Sequence, residues 1–174
     1  MPQDLRLPAP ERARTAMAST IEFLATLDDT RFHQIYEGLS EKGFGPLDGE
    51  IAKLMKFRPQ AIRKLPLEQR SKRAKAILQR TNNAELCYEV FGTYLMRQQE
   101  GLVTGFLDAV GIEHDEGIVE DSSQVPQGDK VKAAAKKLDE NFPPEEVTLY
   151  LALSAQTWPE VEAFDELWRE RAKG

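Results

Sequence analysis

The residues able to do chemistry in this 174-residue chain are few: two histidines, one cysteine and scattered carboxylates. His33 follows Phe32 within an amphipathic pattern and reads as a residue packed at the edge of a core. His114 lies in Glu113-His-Asp-Glu116, and Glu120 and Asp121 extend this acidic stretch. Such oxygens suit a hard cation, but their spacing does not fit a calcium loop and no HExxH occurs, so the stretch reads as a solvated loop. Cys87, followed by Tyr88 among apolar helical neighbours, reads as a buried structural thiol. A single cysteine rules out an intrachain disulfide and a zinc cluster built from cysteines. Glu145 and Glu146 fall in a helix first turn, where their charge complements the helix dipole. GxxxxGK[ST], GxGxxG and GxSxG are all absent. These residues assign no catalytic group, no metal and no cofactor, and the chain reads as non-enzymatic.

Charge is distributed far less evenly than chemistry. The net charge is −6, yet residues 51–80 carry +9, with ten basic residues against the single acid Glu68. Residues 81–174 carry −11. A basic block of this kind concentrates anionic partners at one surface. The block has few aromatics for stacking on single-stranded bases, Phe57 being its only one.

Within the block, Glu50-Ile-Ala-Lys-Leu-Met-Lys-Phe-Arg-Pro-Gln-Ala-Ile-Arg-Lys-Leu65 resembles the helix-turn-helix motif of bacterial repressors over about 16 residues. By that resemblance Ile51, Leu54 and Met55 form the apolar side of a first helix, and Ala52 is the small residue where the helices cross. Phe57 fills the turn, while Ile62 and Leu65 anchor the second helix. The resemblance directs Arg58, Gln60, Arg63 and Lys64 at the major groove, where arginine matches guanine edges and glutamine adenine edges. It departs from the motif in two places. Lys56 stands at the turn position usually held by glycine, and Pro66 ends the second helix after about seven residues. On the next helix Arg70, Arg73, Lys75 and Arg80 add candidate contacts to an anionic partner.

The elements that position these residues are helical. The chain has 37 leucines and alanines against 15 valines and isoleucines, a bias towards helix formers. Residues 1–9 read as a loose tail, and residues 10–174 as one helical domain. Apolar stripes predict helices near 10–27, 59–65 and 67–80, and others carrying Phe32 to Leu39, Ile51 to Met55, Leu86 to about Gln99, Leu102 to Val110, Val131 to Phe142, Val147 to Leu153 and Val161 to Trp168. Asn82 with Glu85, and Thr157 with Glu160, read as capping boxes. Gly111 reads as a C-cap, and Gly101 as a candidate break. Gly92 and Gly105, inside helical patterns, read as points of close helix approach. Segment 112–128 reads as a long polar loop with a short extended piece at Ile118–Val119. Trp158 and Trp168 read as docking residues for the last helix.

The fold class predicted is all-α, a compact domain of about eight to ten helices arranged as helical hairpins or a short α-solenoid. The longest nearly apolar run, Leu149–Ala155, falls far short of the ~20 residues that cross a bilayer. The first residues contain no apolar stretch of the secretory type. The expectation is a cytoplasmic binding protein whose partner is another protein. The alternative is a nucleic-acid binder working through residues 51–80. A third reading is an enzyme or small-ligand protein with a pocket between helices, near His33 or Tyr36.

Overall fold

The computed structural model describes residues 19–39, 45–56 and 58–173. Ten helices make up the secondary structure of these residues: α1 (Ser19–Thr26), α2 (Asp29–Leu39), α3 (Gly45–Met55), α4 (Pro59–Arg63), α5 (Leu67–Thr81), α6 (Ala84–Gln98), α7 (Glu100–Val110), α8 (Gly128–Asp139), α9 (Pro144–Thr157) and α10 (Glu162–Lys173). The only strand-like feature among them is an antiparallel bridge between Asp115 and Ile118, which takes the place of the extended piece expected at Ile118–Val119. No helix among the described residues is long and apolar enough to cross a membrane.

The packing is centred on α9 and α6. Helix α9 is buried almost all round, from Val147 through Tyr150 and Leu151 to Ala155. That explains why its apolar residues follow no single stripe: a helix enclosed on every side has no polar face to alternate with. It meets α1, α6, α8 and α10, while α6 meets α1, α2, α7 and α9. Contacts between helices so distant in the chain make this a compact domain. In a solenoid, each unit touches only its neighbours. One contiguous apolar cluster runs from Phe23 and Phe32 to Phe164 and Trp168 and draws on all ten helices.

Local chemistry fixes most helix ends. Asp28 Oδ1 accepts from Arg31 N at 2.7 Å and opens α2. Pro144 occupies the first turn of α9, where a missing N–H costs nothing. Gly111 closes α7 at φ 75°, in the left-handed region that glycine enters without strain. Three expectations shift. Asn83 caps α6, its Oδ1 accepting from Leu86 N at 3.1 Å, while Asn82 turns left-handed at φ 48° to end α5. The break between α6 and α7 falls at Gln99, with φ −138° and ψ 43°, rather than at Gly101. Thr157 does not cap the last helix. It remains in α9, its hydroxyl 3.3 Å from Leu153 O, and α10 begins at Glu162.

The close approach expected at Gly92 and Gly105 is found elsewhere. A Cβ on either would meet its nearest neighbour at 3.9 or 3.8 Å, an ordinary contact. At Gly38 a Cβ would lie 2.7 Å from Tyr94 Cε2, so glycine is what lets α2 approach α6. Trp158 and Trp168 are both buried. Trp158 stacks on Phe164 at 5.6 Å between ring centroids, and Trp168 meets Phe23 edge-on at 6.0 Å.

Burial raises the pKa of several hydroxyl and thiol groups. The Cys87 thiol, in apolar surroundings, is pushed up to about 12. Tyr36, Tyr94 and Tyr150 are also raised, in each case first by burial. The fold therefore favours the neutral forms. Stability from these groups is intact below their unfolded values, about 8.5 for cysteine and 10 for tyrosine, and is lost above them. Melting temperatures taken at constant ionic strength should hold steady from neutrality to about pH 8.5 and then fall progressively. A flat profile to about pH 11 would contradict these burial assignments.

Candidate nucleic-acid interface

The basic block folds as three consecutive helices, α3 to α5. Helix α3 packs against both α4 and α5, and α5 packs in turn against α2. Lys56 takes φ 55°, so the left-handed position usually held by glycine is left-handed here as well. Such a conformation costs a β-carbon-bearing residue roughly 1–2 kcal/mol. Arg58 is extended at φ −77° and ψ 145°, and Pro59 begins α4. Ala52 and Ile62 are buried, and Leu65 is half-buried. The side chains of Ile51, Leu54, Met55 and Gln60, together with Phe57, lie outside the described residues. Helix α4 runs only over Pro59–Arg63, shorter than expected, so it offers little length to lay along a groove.

Most of the candidate cations face solvent. Arg58, Arg63, Lys64, Arg73 and Arg80 are exposed, as are Lys53, Lys56 and Lys72 of the same block. Arg73 and Arg80, seven residues apart on α5, lie on one side of that helix. Arg63 Nε lies 4.0 Å from Asp48 Oδ2 and keeps 55% of its side chain exposed. Lys72 makes an exposed pair with Glu68 at 3.3 Å, of a kind worth little in water. For Lys56, Arg58, Lys64 and Arg80, no carboxylate among the described residues lies within ion-pairing distance.

Two candidates leave this surface. Arg70 is buried on the inner side of α5 with Ala74, Ile77 and Leu78. Its charge acts on the Tyr36 hydroxyl, which donates to Asp48 Oδ1 at 3.0 Å. Lys75 has 13% of its side chain exposed, and its Nζ donates to Leu27 O at 2.7 Å and to Asp29 Oδ1 at 3.0 Å. Lys75 therefore ties α5 to α2 while Arg70 is buried on the inner side of α5, and the outward face is formed by the remaining cations.

The residues considered for catalysis or metal binding lie elsewhere. His33 is half-buried, and its Nδ1 has no hydrogen-bond partner. His114 Nδ1 accepts from Gly117 N at 3.0 Å, so its proton is on Nε2, which donates to Asp108 Oδ1 at 2.9 Å. Among the described residues no three His, Cys, Asp or Glu side chains gather to hold a metal ion. The polar cluster with the greatest structural weight was not marked by the sequence reading. Arg31 from α2 and Tyr94 from α6 both donate to Oε1 of Glu146 on α9, Tyr94 at 2.9 Å. Glu146 lies one turn before Tyr150 on α9, a helix enclosed on nearly every side, so no periodic signal in the sequence set it apart.

Comparison of the chain with protein-family models, with curated proteins and with solved structures finds no match.

Proposed function

We propose that this chain is a non-catalytic binding protein that engages duplex nucleic acid through the outward cations of α3, α4 and α5. The observation that carries this reading is a set of exposed cations, Lys56, Arg58, Lys64 and Arg80, with no carboxylate partner among the described residues. They stand on a chain whose remaining residues are acidic on balance. A strongly basic face on an otherwise acidic protein attracts polyanions.

Helix α4 is too short to read many base edges. The binding is therefore mainly to the phosphate backbone, and the motif resemblance supports a groove role for Arg58. The scarcity of aromatics in the block favours duplex over single strand. The protein-partner reading has less support. The large apolar side chains exposed among the described residues are Ile118 at 61% and Val125 at 46%, short of the contiguous patch such a partner needs.

Fluorescence anisotropy with a labelled duplex at low salt tests this face. The triple variant Arg58→Glu, Lys64→Glu and Arg80→Glu alters exposed residues only, so its circular dichroism should match that of the parent. Its affinity should fall by about a hundredfold or more, as expected when three phosphate contacts become repulsive. An unchanged affinity in the triple variant would place the contact elsewhere.

A further inference from the structure

A cavity of about 380 Å³ lies between α6, α7 and α9, beneath the loop formed by residues 112–127. That volume is within the range of small-molecule sites. Its apolar walls include Leu95 and Met96 from α6, Leu107 from α7, Leu153 from α9, and Trp158. None of the described residues that line it is charged, and none belongs to α3, α4 or α5. Gly92 opens space in the α6 wall, since a Cβ there would meet only Leu153 Cδ2, at 3.9 Å.

The loop is fixed as a roof. Trp158 Nε1 donates to Gln124 O at 3.0 Å, and Gln124 Oε1 accepts from Glu113 N at 2.8 Å. Gly117, at φ 93°, sits so close to α6 that a Cβ would lie 3.0 Å from Met96 Cε. A preformed roof and walls lower the ordering cost of binding.

The polar end of the cavity has a definite sense. Tyr88 Oη and Thr157 Oγ1 are 2.6 Å apart, and Thr157 Oγ1 is 3.3 Å from Leu153 O. For both contacts to be hydrogen bonds the threonine proton must go to Leu153 O, since a carbonyl only accepts. The tyrosine proton then goes to Thr157 Oγ1. Tyr88 Oη is left with its lone pairs, an acceptor without a proton to offer.

We propose that this cavity binds a neutral aromatic molecule carrying one hydroxyl or N–H group, which donates to Tyr88 Oη. The absence of charged lining residues selects a neutral body, because an unpaired charge in an apolar site is strongly disfavoured. The Trp158 and Tyr88 rings and the Met96 thioether favour an aromatic one.

Calorimetric titration with 1-naphthol, naphthalene and 1-naphthoate tests both the site and the polarity. Saturable one-to-one binding of 1-naphthol is expected, with naphthalene about fivefold or more weaker for want of the hydrogen bond, and 1-naphthoate weaker still. Tyr88→Phe should bring 1-naphthol down to the affinity of naphthalene. Gly92→Leu should abolish binding of both by filling the cavity, and leucine is the better helix former at that position. Thermal melting of each variant verifies that it is folded. Absence of saturable 1-naphthol binding would overturn the proposal. So would tighter binding of 1-naphthoate, unchanged binding in folded Gly92→Leu, or a hydroxyl preference that survives Tyr88→Phe.

Discussion

Glu146→Leu should lower unfolding stability by about 3–5 kcal/mol, the usual result of removing one partner from a buried ion pair. The reason lies in what remains. Glu146 is buried, and its Oε1 receives both the Arg31 guanidinium and the Tyr94 hydroxyl. Leucine leaves that guanidinium largely desolvated, with 19% of its side chain exposed and no opposite charge in reach. For a chain of this size the loss corresponds to roughly 10 °C in melting temperature. Adding Arg31→Met should recover most of it, because replacing both members of a buried pair with apolar groups is often neutral or stabilising. Urea denaturation of the two single variants and the double variant measures this as a coupling energy. A Glu146→Leu protein as stable as the parent would show that the pair contributes nothing to holding α2 and α6 against α9.

Asp48→Asn should be nearly as damaging, at about 3 kcal/mol. Asp48 is 1% exposed in the first turn of α3, where a negative charge also complements the helix dipole. Asparagine keeps the shape and can still accept from Tyr36, so the loss reports the charge and not the packing. The Arg63 guanidinium, whose Nε lies 4.0 Å from Asp48 Oδ2, then loses this carboxylate. Because Asp48 joins α3 to α2, weakening that contact loosens the helices that carry the basic face. Duplex binding should weaken along with stability, although Asp48 itself repels phosphate. Hydrogen exchange should quicken in α3 to α5 well before it does in α9. Uniform acceleration across all helices would instead mean that the segment has no stability of its own.

The helical architecture was largely legible because apolar periodicity survives wherever a helix has one wet face. In α2, Phe32, Ile35, Tyr36 and Leu39 marked the buried stripe correctly. In α9 the stripe dissolved into a continuous apolar run because the helix is enclosed. The caps at Asn82 and Thr157 were misplaced for a different reason. Adjacent Asn82 and Asn83 are equivalent by composition, and only the chain reversal decides which one turns left-handed. Thr157 fits a capping pattern, but the Pro159–Glu160 turn delays the next helix start. The basic face was readable as a block of charge. Which cations point inward was not, since Arg70 and Lys75 differ from Arg73 and Arg80 only in their angle about α5 relative to α2. The Arg31–Glu146–Tyr94 cluster joins residues more than a hundred positions apart, and no local spacing reports such a meeting. The roofed cavity is likewise a product of tertiary packing.

These features divide the molecule by role. Helices α6, α7 and α9 enclose a cavity within a core that all ten helices share, while α3 to α5, joined to α2 through Asp48 and Lys75, project the cations. The most direct test is the salt dependence of duplex affinity for the parent protein, measured by anisotropy between about 50 and 200 mM monovalent salt. If about five or six cations meet phosphates, affinity should fall roughly a thousandfold over that range, with little dependence on sequence. Absence of binding at the lowest salt, or binding that salt leaves unchanged, would contradict the assignment of this face to nucleic acid.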